Sequence, residues 1–264
     1  MEGSMAGVPP TKTDALLSRV EQLVQDYFVL EYPLTVPFTT DSFQLDETVF
    51  VSTSTGKTKN TSTEEDPSNG TSTGRLFARA KVIDTSPAKY PGRVKIEYRD
   101  GSTYHVAPSR LTPQLFRPSG HPFKTGVLVS AKTDHYRRLA KTQILPSDIV
   151  LEIGCDLGIT VDSIAECVGV ANVIGVDKSH ESIQVAKQTY PHCQFVEMDI
   201  FHSRDELLAL AAKCTKILID INGNRLLEAV LNALALVLDG CPRVELIIVK
   251  SVELHQQVLK LHKH

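Results

Sequence analysis

The residues that could do chemistry together lie at the ends of apolar runs in this 264-residue chain. One run leads into Glu152-Ile153-Gly154-Cys155-Asp156-Leu157-Gly158. Gly154 permits a tight turn, and Gly158 permits close approach of a following helix. The amides at the start of that helix would then point toward a ligand. The next run ends at Asp177, about 20 residues past the glycine turn, where an acid can hydrogen-bond two ribose hydroxyls. Asp199 ends the third run, which puts a carboxylate beside a bound adenine, and Asp220 ends the fourth. The fifth run closes on Lys250, a cation beside a row of anions.

These residues need elements to hold them. The apolar runs 148–153, 172–176, 194–198, 216–221 and 244–249 are short and continuous, as buried strands are. Amphipathic segments at 160–168, 179–189, 203–212 and 223–238 lie between them. Strands alternating with helices predict an α/β fold with a parallel sheet covered on both faces. Right-handed crossovers gather the strand C-termini on one edge, where ligands bind.

With these motifs in order, the segment from about residue 130 to 264 resembles the class I S-adenosylmethionine-dependent methyltransferases, a Rossmann-like family. The resemblance implies S-adenosyl-L-methionine as cofactor. It places Glu152, Gly154, Cys155, Asp156 and Gly158 at the methionine end, Asp177 and Lys178 at the ribose, and Asp199 and Ile200 at the adenine. Asp220 opens the fourth motif. A dinucleotide-binding oxidoreductase would want three glycines in the turn, and Asp156 would repel a pyrophosphate.

Two departures stand out. Asp156 occupies the place of the family's usual middle glycine. The family's sheet ends in two further strands, whereas only 251–264 follows the fifth strand here and reads as one helix. The sheet is therefore expected to have a shortened C-terminal edge. Either the chain stops short there, or another element, a protein partner or a dimer covers the edge, since an open edge invites aggregation.

The acceptor is read from the fourth motif, Asp220-Ile221-Asn222-Gly223-Asn224. It is not the Asn/Asp-Pro-Pro-Tyr/Phe motif of amino-nitrogen methyltransferases, and there is no Pro-Cys nucleophile. Asp220 and Lys250 are similar to two members of the Lys-Asp-Lys-Glu set of ribose 2′-O RNA methyltransferases. They are the catalytic candidates, with Lys132 or Lys141 as the first lysine. The alternative is that Lys250 is solvated and Asp220 only helps hold cofactor. Tyr136, Arg137 and Arg138 sit on a basic helix expected to cross the cofactor pocket, and His135 reads as a surface residue.

The first half differs. A helix with Leu16, Leu17, Val20, Leu23, Val24 and Phe28 on one face, capped by Asp14, runs to the Pro33–Pro37 region. Strand-like runs follow at 34–38, 48–52, 76–83, 93–98 and 103–106, with Asp100-Gly101 as a hairpin turn and a polar loop at 52–73. Five short strands suggest a small barrel. The stretch around Ala80–Val82, Val94–Gly101 and Leu111–Pro113 resembles a Tudor or SH3-like barrel, with Phe77, Tyr90, Tyr98 and Tyr104 as cage or packing aromatics. The expected domains are a helix at 1–33, this barrel at 34–118 and the methyltransferase domain at 119–264.

Formal charge is −3 overall but uneven: residues 70–141 hold 14 basic and 4 acidic side chains. That segment either attracts RNA through counterion release or pairs with the acidic flanks. The five cysteines are widely spaced and include no CxxC, so free thiols in a reducing compartment are expected, with no metal site. No apolar run reaches the ~20 residues of a membrane span, and no basic-then-apolar leader is visible. The expected location is intracellular, cytoplasmic or organellar. The leading reading is methyl transfer to RNA. The alternatives are a protein or small-molecule methyltransferase, or an inactive methyltransferase-like scaffold.

Overall fold

The computed structural model describes residues 11–34, 36–52, 77–119, 121–221 and 227–263. The chain divides into two compact units, residues 1–34 with 116–264, and residues 35–115. The polar loop at 52–73 lies almost wholly outside the described residues, as do Asn222, Gly223 and Asn224.

The first unit opens with α1 (Lys12–Asp26) and β1 (Phe28–Tyr32). Thr11, rather than Asp14, is the N-cap. Its hydroxyl accepts from the Asp14 amide at 3.2 Å, while the Asp14 carboxylate accepts from the Thr11 amide at 2.9 Å. The expected strand at 34–38 is not formed. The strand lies just before the prolines, where Val29, Glu31 and Tyr32 are buried.

The chain next forms the second unit: β2 (Thr48–Ser52), β3 (Phe77–Asp84), β4 (Val94–Tyr98), β5 (Thr103–Val106) and β6 (Leu111–Thr112). These pair antiparallel in the order β5-β4-β3-β2-β6. Val49, Val51, Val82, Val94, Ile96 and Leu111 fill its core by simple alternation along the strands. Asp100 organises the hairpin by accepting from the Ser102 amide at 3.0 Å, with Gly101 at φ +81°. The aromatics do not form one cage. Tyr98 meets Tyr104 edge-on at 5.7 Å, while Tyr90 lies against His105 at 4.1 Å. Tyr104 and His105 are adjacent on β5 and so face opposite sides of the sheet. The Phe77 side chain is outside the described residues.

The chain returns to the first unit with β7 (Gly126–Ser130), α2 (Thr133–Gln143), β8 (Val150–Ile153), α3 (Ile159–Val168), β9 (Val173–Asp177), α4 (His180–Thr189), β10 (Gln194–Glu197), α5 (Arg204–Ala211), β11 (Lys216–Ile219), α6 (Leu227–Gly240), β12 (Leu246–Lys250) and α7 (Val252–Leu261). The sheet has seven strands in the order β1-β7-β12-β11-β8-β9-β10, and every pairing is parallel. The expected shortened edge is therefore corrected. The two positions beyond β12 are filled by β7 and β1, which precede the other strands in sequence. Gly126 and Ser130 of β7 pair with Leu246 and Lys250 on one side and with Phe28 and Tyr32 on the other. Strand β1 is the outermost strand on this side, and β7 lies inside it. The unbroken apolar strands fit burial on both faces: Val127, Leu128 and Val129 are all fully buried. Helices α1, α6 and α7 pack together on one face, and α2 packs against α3. No helix among the described residues is long and apolar enough to cross a membrane.

Candidate functional site

The glycine turn joins β8 to α3. Gly154 and Gly158 both have φ +82°, where only glycine is unstrained. A Cβ on Gly154 would run into the backbone carbonyl oxygen of Asp220, and one on Gly158 would come within 2.6 Å of the Phe195 ring. The turn is pinned from two sides. Val176 O accepts from the Gly154 amide at 2.8 Å and the Cys155 amide at 3.1 Å, and Ile153 O accepts from the Asp220 amide at 2.8 Å. Asp156 adopts φ +46°, a left-handed conformation that aspartate tolerates better than most residues. The departure from a middle glycine is thus accommodated. The Asp156 carboxylate accepts from the Ser182 hydroxyl of α4 at 3.1 Å.

The strand-end acids converge as the sequence predicts. Asp177 accepts from the Asp156 amide at 3.0 Å through one oxygen and from the Ser179 amide at 2.9 Å through the other. Asp199 accepts from the Phe201 amide at 3.0 Å. A solvent-open cleft of about 210 Å³ runs along this edge. Gly154, Asp156, Asp177, Lys178, Asp199, Ile200 and Asp220 line it. Glu152, Cys155 and Gly158 do not. Sequence reasoning missed Ser179, Ser182, Met198 and Phe201, which also line the cleft. Ser179 carried a signal, since it is the N-cap of α4 and accepts from the Ser182 amide at 3.2 Å.

Behind the cleft lies a charged layer. Lys250 Nζ donates to both oxygens of Asp220, at 3.1 and 3.2 Å, with side chains only 13% and 11% exposed. Burial pushes the Asp220 carboxyl up from its usual range, and Lys250 opposes this. Lys250 is therefore placed at Asp220 rather than on the cleft wall. Lys132 and Lys141 are exposed and do not line the cleft. The basic helix α2 contributes Tyr136, whose hydroxyl donates to Glu152 at 2.8 Å. Arg137 faces Glu152 and Asp220 closely enough for its charge to lower both. The His135 ring meets Tyr32 edge-on at 5.7 Å.

Glu152 is fully enclosed, and burial pushes its carboxyl up to about 8, with Asp220 adding to the shift. Among the described residues, its Oε2 has no hydrogen-bond partner. The native state therefore keeps a proton that the unfolded chain releases near 4.5. The stability this confers is complete below that value and is lost as pH rises toward 8. We predict that the urea midpoint of Glu152→Gln falls less between pH 5 and 8 than that of the native chain. The difference in unfolding free energy should be on the order of a few kcal/mol. Parallel pH profiles would contradict this.

Among the described residues, the lining carries four carboxylates, Asp156, Asp177, Asp199 and Asp220, against the single cation Lys178. Such a field suits a cationic nucleoside and disfavours a pyrophosphate. S-adenosylmethionine, with its sulfonium and ammonium groups, fits this donor set.

Comparison with known proteins agrees. Residues 150–238 match the family model described as a methyltransferase domain. A curated protein of Invertebrate iridescent virus 6, named "Putative methyltransferase 235L", is 40% identical over 62 residues. That alignment covers 24% of this chain, and the chain spans about a quarter (23%) of that relative's length. A solved structure of a probable oxidoreductase from Mycobacterium abscessus shares 16% identity, covering 70% of this chain and 62% of that one at a TM-score of 0.26. A superposition that loose carries no argument. The segment that matches the methyltransferase domain, residues 150–238, lies in the unit built on the parallel sheet and contributes the residues that line the cleft.

Proposed function

We propose that this chain transfers a methyl group from S-adenosylmethionine to RNA. The observation that carries the transferase reading is the convergence of Asp156, Asp177, Asp199 and Asp220 on one cleft beside a tight glycine turn. Members of the matched family generally use this cofactor. When bound, it supplies an electrophilic methyl group for in-line displacement. Asp177 would hold the ribose with the lone pairs left by its two amide contacts, and Asp199 and Ile200 would flank the adenine. Asp220 faces the cleft with its charge maintained by Lys250, so the pair is suited to orient an acceptor hydroxyl and take its proton.

RNA is the substrate class favoured by charge. Residues 70–141 carry a balance of +10. Within the second unit, Tyr90 is 40% exposed, lies against His105, and has Lys89 Nζ 5.7 Å from its ring centroid. An exposed ring among cations is a base-stacking platform. A Tudor or SH3-like role for this antiparallel unit belongs to the same proposal.

Calorimetric titration with S-adenosylhomocysteine tests the first step. We expect micromolar binding that weakens about 100-fold or more in Asp177→Ala, the worth of two hydrogen bonds to a charged group. Lys250→Gln keeps a donor beside Asp220 and should bind the ligand normally while losing methyl transfer. RNA retention should fall steeply as salt rises. A folded chain that binds nothing at millimolar ligand would end the enzyme reading and favour a scaffold.

A further inference from the structure

Asp162, His192 and Cys193 form a cluster away from the cleft. Among the described residues it is the one group of three or more potential metal ligands whose donor atoms all lie within 4.8 Å of one another. Asp162 sits in the first turn of α3, and His192 and Cys193 sit in the turn that leads into β10. His192 Nε2 and Asp162 Oδ1 are 2.8 Å apart, although the residues are 30 positions apart in sequence. The backbone on both sides is fixed: the Asp162 amide donates to Gly158 O at 3.0 Å, and the Cys193 amide to Tyr190 O at 2.9 Å.

We infer that these three side chains form a binding site for a divalent transition-metal cation, zinc in the first instance. A thiolate and an imidazole with one carboxylate select a borderline-soft ion over calcium or magnesium. The distances suit it. Two bonds of about 2.0 Å at a tetrahedral angle put nitrogen and oxygen about 3.3 Å apart. The present contact need open by only about half an ångström to admit an ion between them. The sulfur needs about 3.6 Å to either partner, and the three donor atoms already lie within 4.8 Å of one another. Asp162 is 29% exposed and His192 53% exposed, which leaves an entry path and a fourth position for water. A nucleophilic role for Cys193 is disfavoured, because burial and the neighbouring Asp162 carboxylate push its thiol up.

The ion would clasp the start of α3 to the turn before β10. It would act as a stabilising site on the frame of the cleft, independent of methyl transfer.

The test uses the full chain, freed of metal by chelation and titrated with zinc and with cobalt(II). One zinc should bind with micromolar or tighter affinity and raise Tm by several degrees. Cobalt(II) should give a thiolate-to-metal charge-transfer band in the near ultraviolet and tetrahedral visible bands. Cys193→Ser should abolish the charge-transfer band, and His192→Ala should weaken zinc at least tenfold. Cys167→Ser should change neither. All three positions lie at least partly exposed, so folding can be verified for each variant by circular dichroism. Zinc affinity unchanged in Cys193→Ser, or cobalt binding without the thiolate band, would overturn the proposal.

Discussion

A chain lacking residues 1–34 is expected to yield no stable monomer, although the matched methyltransferase segment is untouched. Removing α1 and β1 uncovers β7, whose five residues are all buried in the intact molecule. It also removes Val20, Leu23, Val29 and Tyr32 from the interior. Burial of each is worth about 1.5–3 kcal/mol, so the loss is about 6–12 kcal/mol. That is comparable with the whole stability of an ordinary domain, about 5–15 kcal/mol. The bare β7 would also offer its unpaired amides and carbonyls to other chains. Size-exclusion chromatography and urea unfolding of residues 35–264 provide the measurement. Aggregated or non-cooperative protein is the expected result, and a monomer with a sharp transition would show that the edge strand is dispensable. Reattaching residues 11–34 after His264 through a flexible linker should restore folding. The linker must be long enough to run from the end of α7 to the start of α1.

Gly154→Ala should have the next largest effect, and it should strike both stability and binding. A left-handed alanine costs about 1–2 kcal/mol in conformation alone. Here the added methyl also meets the Asp220 main-chain carbonyl, which cannot rotate away as a side chain would. Either the turn or the end of β11 must move, and the 2.8 Å bond from the Asp220 amide to Ile153 O is at risk. A total of about 3 kcal/mol or more is expected, lowering Tm by roughly 6–12 °C. S-adenosylhomocysteine binding should disappear, because Asp156 and Asp220 would be displaced together. Gly169→Ala is the control. Gly169 has φ +85° and ψ 150°, a conformation essentially reserved for glycine, but nothing lies within 4 Å of a Cβ there. It should show the conformational cost alone and keep ligand binding. Equal effects at the two positions would mean that strain, and not the contact with Asp220, matters at Gly154.

Much of the α/β unit was legible from local pattern. The apolar runs before Gly154, Asp177, Asp220 and Lys250 are largely buried strands and the run before Asp199 is the half-exposed edge strand β10, and Asp177, Asp199 and Asp220 follow or end their strands at the cleft. Composition and alternation fix these features, because a strand buried on both faces must be apolar throughout and can carry polar chemistry only at its end. The antiparallel unit was equally visible in the alternation of Val94, Ile96 and Tyr98.

Other features depended on contacts distant in sequence. Phe28–Tyr32 reads locally as the tail of a helix, and Gly126–Ser130 as a short apolar stretch. Only their register with each other and with β12 makes them the edge of the sheet. The same holds for Tyr136 with Glu152, for Lys250 behind Asp220, and for Asp162 with His192 and Cys193. Chain pattern determined which segments became strands and which residues ended them. Tertiary packing decided which strand closed the sheet and which charges were buried together, because those outcomes are set by distance in space, and local sequence pattern does not encode it.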